Sequence, residues 1–280
     1  MFTTLISVAW PVFMTYNAKN TVNSFVEDIL FKRHSSINLT KLRDKFIYTY
    51  EGVETTYIIS NNPNYKRSVL YLHGSGGTIH DREFICQMFD YFKVNYILLE
   101  YPLTIKNILS SSKTNKLLDV INYIFKYHGL EKDIIWGTSL GGTLATKIFN
   151  IDIGFKALVH CVSFFSLAKS DDSRISTMAS IYNLTLPSNI TNENVGKCKR
   201  PKLIIRSVDD QYFKSQHTIM DKAACNVKVL TTKGSHAHID LSLISDEISS
   251  WGNFEKLSVS DWEHIRNLRD ILDSHLDASI

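Results

Sequence analysis

The sequence predicts an α/β fold: a mainly parallel central sheet with helices on both faces and a small cap. Short apolar runs of strand length alternate with stretches of helical periodicity, the pattern left by a parallel sheet whose crossovers are helices. Two of the runs end in glycine-bearing turns, where a strand gives way abruptly. The chain has 280 residues, 44% of them hydrophobic, enough to bury one open sheet of this kind as a single domain.

Residues 1–40 read as an N-terminal extension and 41–280 as the main domain. Met1 to Met14 is mostly apolar but contains Thr3, Thr4, Ser7 and Pro11, is too short to span a bilayer and lacks the basic start of a secretory signal. It either packs on the core or makes a peripheral membrane contact. Phe46–Tyr50 and Thr55–Ile59 flank Glu51-Gly52-Val53-Glu54 as an opening hairpin, and Ser68–Leu72 is a short apolar strand. A helix near 81–92 leads to a strand at Tyr96–Leu99. Leu117, Ile121, Ile124 and Phe125 then share one face of the next helix. Strands follow at Ile134–Trp136, Ala157–Val159, Lys202–Arg206 and Val227–Thr231. A closing helix at 261–276 carries Trp262, Ile265, Leu268 and Leu272 on one side, a stripe that reads as core and not as a ligand box. The interval of about 163–198 is the cap, with room for one or two helices around Ile175 to Tyr182. So short a cap leaves the site accessible, suited to a short ester or to an acyl group displayed on something larger.

Gly137-Thr138-Ser139-Leu140-Gly141-Gly142 lies between an apolar strand and a helix carrying Leu144, Ala145, Ile148 and Phe149. This is a G-x-S-x-G nucleophile elbow in the context it requires. A serine there must turn so sharply that side chains at the flanking glycines would collide with the neighbouring strand and helix. The turn lifts Ser139 Oγ above the sheet edge, beside the positive end of the following helix.

His73-Gly74-Ser75-Gly76-Gly77-Thr78, after the strand at 68–72, resembles an H-G-G-G loop that supplies half of an oxyanion hole. Leu140 N–H and Ser75 N–H are the candidate donors, with Gly76 replacing Ser75 if the loop is shifted by one residue. His73 reads as a structural residue of the loop. A phosphate loop is a poor reading, since no Lys-Ser/Thr follows these glycines. In the chain order Ser, acid, His, Asp210 lies three residues after Ser207 at a strand end and is the first choice for the acid, with Asp209 the second. His236, two residues after Gly234, is the candidate general base, and His238 its competitor. His236-Ala237-His238-Ile239-Asp240 also starts like a metal cluster, but Leu241 stands where the last histidine is needed, so no metal is expected.

With strand, glycine loop, elbow, acid and histidine in this order, the sequence resembles an α/β-hydrolase serine hydrolase over residues 45–250. Leu99-Glu100-Tyr101-Pro102, the elbow and Cys198-Lys199-Arg200-Pro201-Lys202-Leu203-Ile204-Ile205 look most like the membrane-associated, protein-depalmitoylase-type group. That group continues Tyr-Pro with Gly-Tyr-Gly, whereas this chain has Leu103-Thr104-Ile105-Lys106. The resemblance implies hydrolysis of an ester or thioester, on a small molecule, a lipid or an acylated protein, through an acyl-enzyme and without a cofactor. A serine peptidase of the same fold and a non-catalytic binding protein are the alternatives.

A net charge of +3, with basic and acidic residues interspersed, argues against nucleic acid as a partner. The cysteines Cys86, Cys161, Cys198 and Cys225 form no C-x-x-C pair and read as ordinary thiols of a reducing compartment, which points to the cytoplasm, free or peripheral on a membrane. Sequons at Asn38, Asn183 and Asn189 would matter only in a secreted chain.

Overall fold

The structure is a computed structural model that describes residues 45–50, 53–75, 78–101, 111–164, 170–173, 176–177, 198–216 and 225–277. The N-terminal extension, the departure at 103–106 and, apart from residues 176–177, the proposed cap helices around 175–182 lie outside the described residues.

Eight strands form one sheet: β1 (Lys45–Tyr50), β2 (Val53–Ser60), β3 (Ser68–Leu72), β4 (Asn95–Leu99), β5 (Ile134–Thr138), β6 (Ala157–Cys161), β7 (Lys202–Ser207) and β8 (Val227–Thr232), in the order β1-β2-β4-β3-β5-β6-β7-β8. β1 and β2 are the expected hairpin, antiparallel to each other and to β4, and every later pairing is parallel. The α-helices among the described residues include α1 (Glu83–Tyr91), α2 (Ser111–Tyr127), α3 (Leu140–Ile151), α4 (Ser245–Gly252) and α5 (Val259–Asp277).

Alternation along the strands divides the core in two. Leu70, Leu72, Ile97 and Ile135 pack with α2 and α3 on one face. Val69, Tyr71, Leu98, Trp136 and Cys161 pack with α1, α4 and α5 on the other. Central strands buried on both faces read as unbroken apolar runs, and β3 therefore matches its expected bounds.

The helices differ more from expectation. A 3-10 turn over Ile79–Arg82 precedes α1, because the Asp81 carboxylate accepts from Thr78 N–H at 2.7 Å and tightens the entry. At α5, Ser258 and Asp261 cap each other: Ser258 N–H donates to Asp261 at 2.8 Å and Asp261 N–H to Ser258 Oγ at 3.2 Å, so the helix opens at Val259. Helix α4 has no counterpart in the sequence reading. Its eight residues, Ser-Asp-Glu-Ile-Ser-Ser-Trp-Gly, are mostly polar, and it is anchored by the buried Ile248. No described helix is long and apolar enough to cross a membrane.

From β3 the chain moves through α1 to β4 on one side, and from β5 it moves through α3 to β6 on the other. The loops after β3 and β5 therefore diverge and leave a crevice at the carboxyl ends of these neighbouring strands, where open α/β sheets bind ligands.

Arg200 ties the end of α3 to the start of β7. Its guanidinium donates to the carbonyls of Asp152 (2.8 Å), Phe149 and Phe155, and stacks 3.8 Å from the centre of the Phe149 ring. Truncation strands carbonyls that a charged donor satisfied, so Arg200→Ala should lower stability by about 2 kcal/mol, read as a reduced urea midpoint with unchanged slope.

Candidate active site

Ser139 occupies the crevice between β3 and β5 in a conformation that few side chains adopt, φ 51° and ψ −120°. Two close approaches impose it. A Cβ on Gly137 would overlap the Gly141 carbonyl oxygen, and one on Gly141 would overlap the Leu72 carbonyl oxygen. The serine backbone is held by its N–H donating to Cys161 O at 2.9 Å, and by its carbonyl accepting from Gly142 N–H at 2.9 Å and from the Ser163 hydroxyl.

The loops after β7 and β8 bring Asp210 and His236 to this serine. The His236 ring lies between them, Nε2 2.8 Å from Ser139 Oγ and Nδ1 2.9 Å from Asp210 Oδ2. Both ring nitrogens are thus engaged, and the tautomer with hydrogen on Nδ1 leaves Nε2 free to accept the serine proton. Asp210 has 1% exposure, and its other oxygen accepts from the N–H groups of Tyr212 (2.8 Å) and Phe213 (3.0 Å). Burial pushes its carboxyl up, but the His236 hydrogen bond and charge and these two N–H groups outweigh that and hold it below its ordinary value.

Several supports were not legible in the sequence. Gln211 Oε1 accepts from His236 N–H at 3.0 Å, and the Tyr212 and Phe213 rings meet the imidazole edge-on, each with centroids 5.2 Å away. Asp209 is exposed and fastens the two loops together, accepting from Gly234 N–H at 3.1 Å. His238 is exposed at the cavity rim.

His73 organises the loop after β3. Its ring stacks on Tyr101 at 4.3 Å, Nε2 lies 3.3 Å from Glu100 Oε1, and the Tyr101 hydroxyl donates to its carbonyl. Glu100 also accepts from Ile79 N–H at 3.0 Å and Tyr101 N–H at 3.1 Å. The Glu-Tyr pair after β4 thus holds the glycine loop in place. A Cβ on Gly74 would lie 3.3 Å from Ser139 Cβ, and Ser75, Leu140 and Ser139 border one cavity. Gly76, the alternative donor, lies outside the described residues.

The cavity measures about 810 Å³. It extends from Ser139 and His236 along the sheet face covered by α1 and α5, lined there by Ile85, Met88, Trp136, Trp262 and Ile265. Of the α5 stripe, read from sequence as core alone, Trp262, Ile265 and Leu272 are buried and Leu268 is half-buried, and Trp262 and Ile265 also wall this cavity. The expectation of an open site came from the short cap, most of which lies outside the described residues; the described lining of the cavity includes residues of α1 and α5. Cys161 borders the cavity as a neutral thiol, pushed up to about 12 by burial. Among the described residues no cluster of His, Cys, Asp and Glu is arranged to hold a metal ion.

No family model matches the sequence, nor does any curated protein. The fold does have relatives among solved structures. An esterase of Pyrococcus furiosus superposes with a TM-score of 0.57 at 13% identity, over 79% of this chain and 93% of the esterase. The chain has the α/β-hydrolase fold. Est1E from Butyrivibrio proteoclasticus gives a TM-score of 0.57 at 16% identity, over 74% of this chain and 96% of that one. A thioesterase domain from the curacin biosynthetic pathway gives 0.53 at 11% identity, over 76% of this chain and 98% of the domain. At these identities the likeness is one of fold.

Two outcomes follow from the geometry. Gly141→Ala forces a Cβ onto the β3 backbone and should cost about 3 kcal/mol in urea unfolding. Because Asp210 is held below its unfolded value, it contributes stability that is present above about pH 4 and is lost as pH falls through the folded value. Asp210→Asn should therefore lose less melting temperature than the parent between about pH 4 and pH 2.

Proposed function

We propose that this protein is a serine hydrolase that cleaves an ester or thioester through an acyl-enzyme. The observation that carries the reading is the His236 ring, within hydrogen-bonding distance of Ser139 Oγ on one side and Asp210 on the other.

In this mechanism Ser139 Oγ attacks the carbonyl carbon while His236 Nε2 takes its proton. Asp210 keeps hydrogen on Nδ1 and stabilises the imidazolium that forms. Negative charge developing on the carbonyl oxygen is met by the backbone N–H groups of Leu140 and Ser75, which need no reorganisation at that moment. Collapse of the tetrahedral intermediate breaks the bond to the alcohol or thiol, which leaves with the proton returned by His236. Water, deprotonated by the same nitrogen, then releases the acid and restores Ser139. The chemistry needs no cofactor.

The esterase and thioesterase folds on which the chain superposes support an oxygen or sulfur leaving group over an amide. The finer resemblance, to the membrane-associated depalmitoylase-type group, implies a substrate displayed on a protein or lipid surface and a peripheral membrane contact through residues 1–40. Part of its motif has a folding task here, since Glu100 and Tyr101 hold the His73 loop. Four cysteines outside any disulfide, Cys86 and Cys161 buried, Cys198 half-buried and Cys225 exposed, fit a reducing compartment.

Purified protein should hydrolyse 4-nitrophenyl butyrate and a matched butyryl thioester, with little turnover of the anilide. Ser139→Ala should lower kcat/KM by about 10³-fold or more with an unchanged melting temperature. Full turnover by that variant would place the nucleophile elsewhere.

A further inference from the structure

The edge of the sheet opposite Ser139 carries a second cluster of nucleophilic and charged groups. Cys198 and Cys225 stand shortly before β7 and β8, which are neighbouring parallel strands. Side chains tie the two approaches together. Lys202 Nζ donates to Cys225 O at 2.9 Å, to Arg200 O at 3.0 Å and to Cys198 O. Asn226 Nδ2 donates to Lys199 O at 2.9 Å, and the Cys225 thiol donates to Cys198 O at 3.3 Å. The Cys225 sulfur thus rests against the peptide unit of Cys198, 27 residues away in the chain. Neither of these cysteines is enclosed in the core, unlike Cys86 and Cys161.

Two cations meet Cys198. Arg200 Nε donates to its sulfur at 3.1 Å, while the rest of the guanidinium is held by the carbonyls of Phe149, Asp152 and Phe155. Lys202, 1% exposed, brings its ammonium to the Cys198 carbonyl. Among the described residues neither cation has a carboxylate partner, and apart from the Cys198 sulfur every acceptor they reach is a backbone carbonyl. A buried charge is stabilised by an opposite one, and of the groups hydrogen-bonded to this pair the Cys198 sulfur alone can ionise to an anion. Burial pushes the Cys198 thiol up, but the Arg200 N–H groups and charge, with the charge of Lys202, outweigh that and hold it below its ordinary value. Thiolate, not thiol, is the form that attacks an oxidant.

We propose that Cys198 and Cys225 form a peroxide-responsive thiol pair, with Cys198 the nucleophile that is oxidised first and Cys225 the thiol that resolves it as a disulfide. The Cys198 thiolate attacks one oxygen of hydrogen peroxide. The O–O bond breaks, and the departing hydroxide becomes water with the proton the thiol gave up. The sulfur, now a sulfenic acid, has lost two electrons to the peroxide. The Cys225 sulfur then attacks it: an S–S bond forms, the S–O bond breaks, and the oxygen leaves as a second water with the Cys225 proton. A thiol reductant reverses the change, as suits a disulfide formed transiently in a reducing compartment. The crosslink joins the approaches to β7 and β8, at the ends of these strands away from Asp210 and His236, and does not depend on Ser139 being the nucleophile.

The test uses the reduced full-length protein and a small excess of hydrogen peroxide, followed by denaturation, blocking of remaining thiols with iodoacetamide and non-reducing peptide mass spectrometry. Most chains should carry one intrachain disulfide joining the peptides of Cys198 and Cys225, reversed by dithiothreitol, with Cys86 and Cys161 blocked as thiols. Cys225→Ser should stop at a sulfenic acid on Cys198 that dimedone captures, and Cys198→Ser should leave Cys225 reduced. In the parent protein before oxidation, the pH of half-maximal Cys198 alkylation should lie below the value of about 8.5 of an unperturbed thiol. Cys198 left reduced by peroxide, Cys198 oxidised with no crosslink to Cys225, or half-maximal alkylation at or above that pH would each overturn the pair. These readings come from the parent chain and hold even where a serine variant is destabilised.

Discussion

Two backbone approaches, Gly137 against Gly141 and Gly141 against Leu72, force the chain at Ser139 into a left-handed turn. No side chain larger than hydrogen fits at either glycine, so β5 and α3 can meet at this distance only through this sequence. The strain at a non-glycine residue in such a conformation is about 1–3 kcal/mol. It is offset locally, because the N–H and the carbonyl of Ser139 are both satisfied by β6 and its following loop. The turn sets the hydroxyl at the crevice where the loops after β3 and β5 part, and the remaining parts of the site are arranged around that fixed point.

A buried carboxylate is the second constraint. Asp210 is almost fully removed from water, and an isolated charge there would be expensive. Two backbone N–H groups from its own loop and one imidazole nitrogen satisfy it, and the last of these orients the His236 ring. The imidazole is further confined by Gln211 and by two aromatic rings from the same loop. Four consecutive residues, Asp210 to Phe213, thus hold the histidine, and their meaning depends on β7 and β8 being neighbours. On the opposite side His73, Glu100 and Tyr101 fix the glycine loop against Ser139 by stacking and hydrogen bonds.

Much of this architecture was legible in the sequence, for a physical reason. Strands buried on both faces, such as Ser68–Leu72, read as unbroken apolar runs, and Ser139 and Asp210 follow two such strands closely, whereas β8, before His236, is only partly buried and alternates apolar with polar residues. Helix α4 was hidden because it is short and mostly polar, with its anchor supplied by tertiary contacts of Ile248. The entry to α1 shifted because an Asp81 side chain, not hydrophobic periodicity, sets where the backbone tightens. Asp209 and Asp210 could be ranked only by a pattern of spacing; their different partners, Gly234 for one and His236 for the other, are consequences of how the two loops cross. The cavity was the least legible feature, because its walls come from α1 and α5, far apart in the chain.

The most direct measurement of the central claim is the site of covalent modification by a fluorophosphonate, mapped by peptide mass spectrometry on the intact full-length protein. The account predicts one adduct per chain, on the peptide that contains Ser139, with loss of esterase activity in step with its formation. An adduct on a different serine that tracks the loss of activity, or activity that survives complete modification of Ser139, would contradict it.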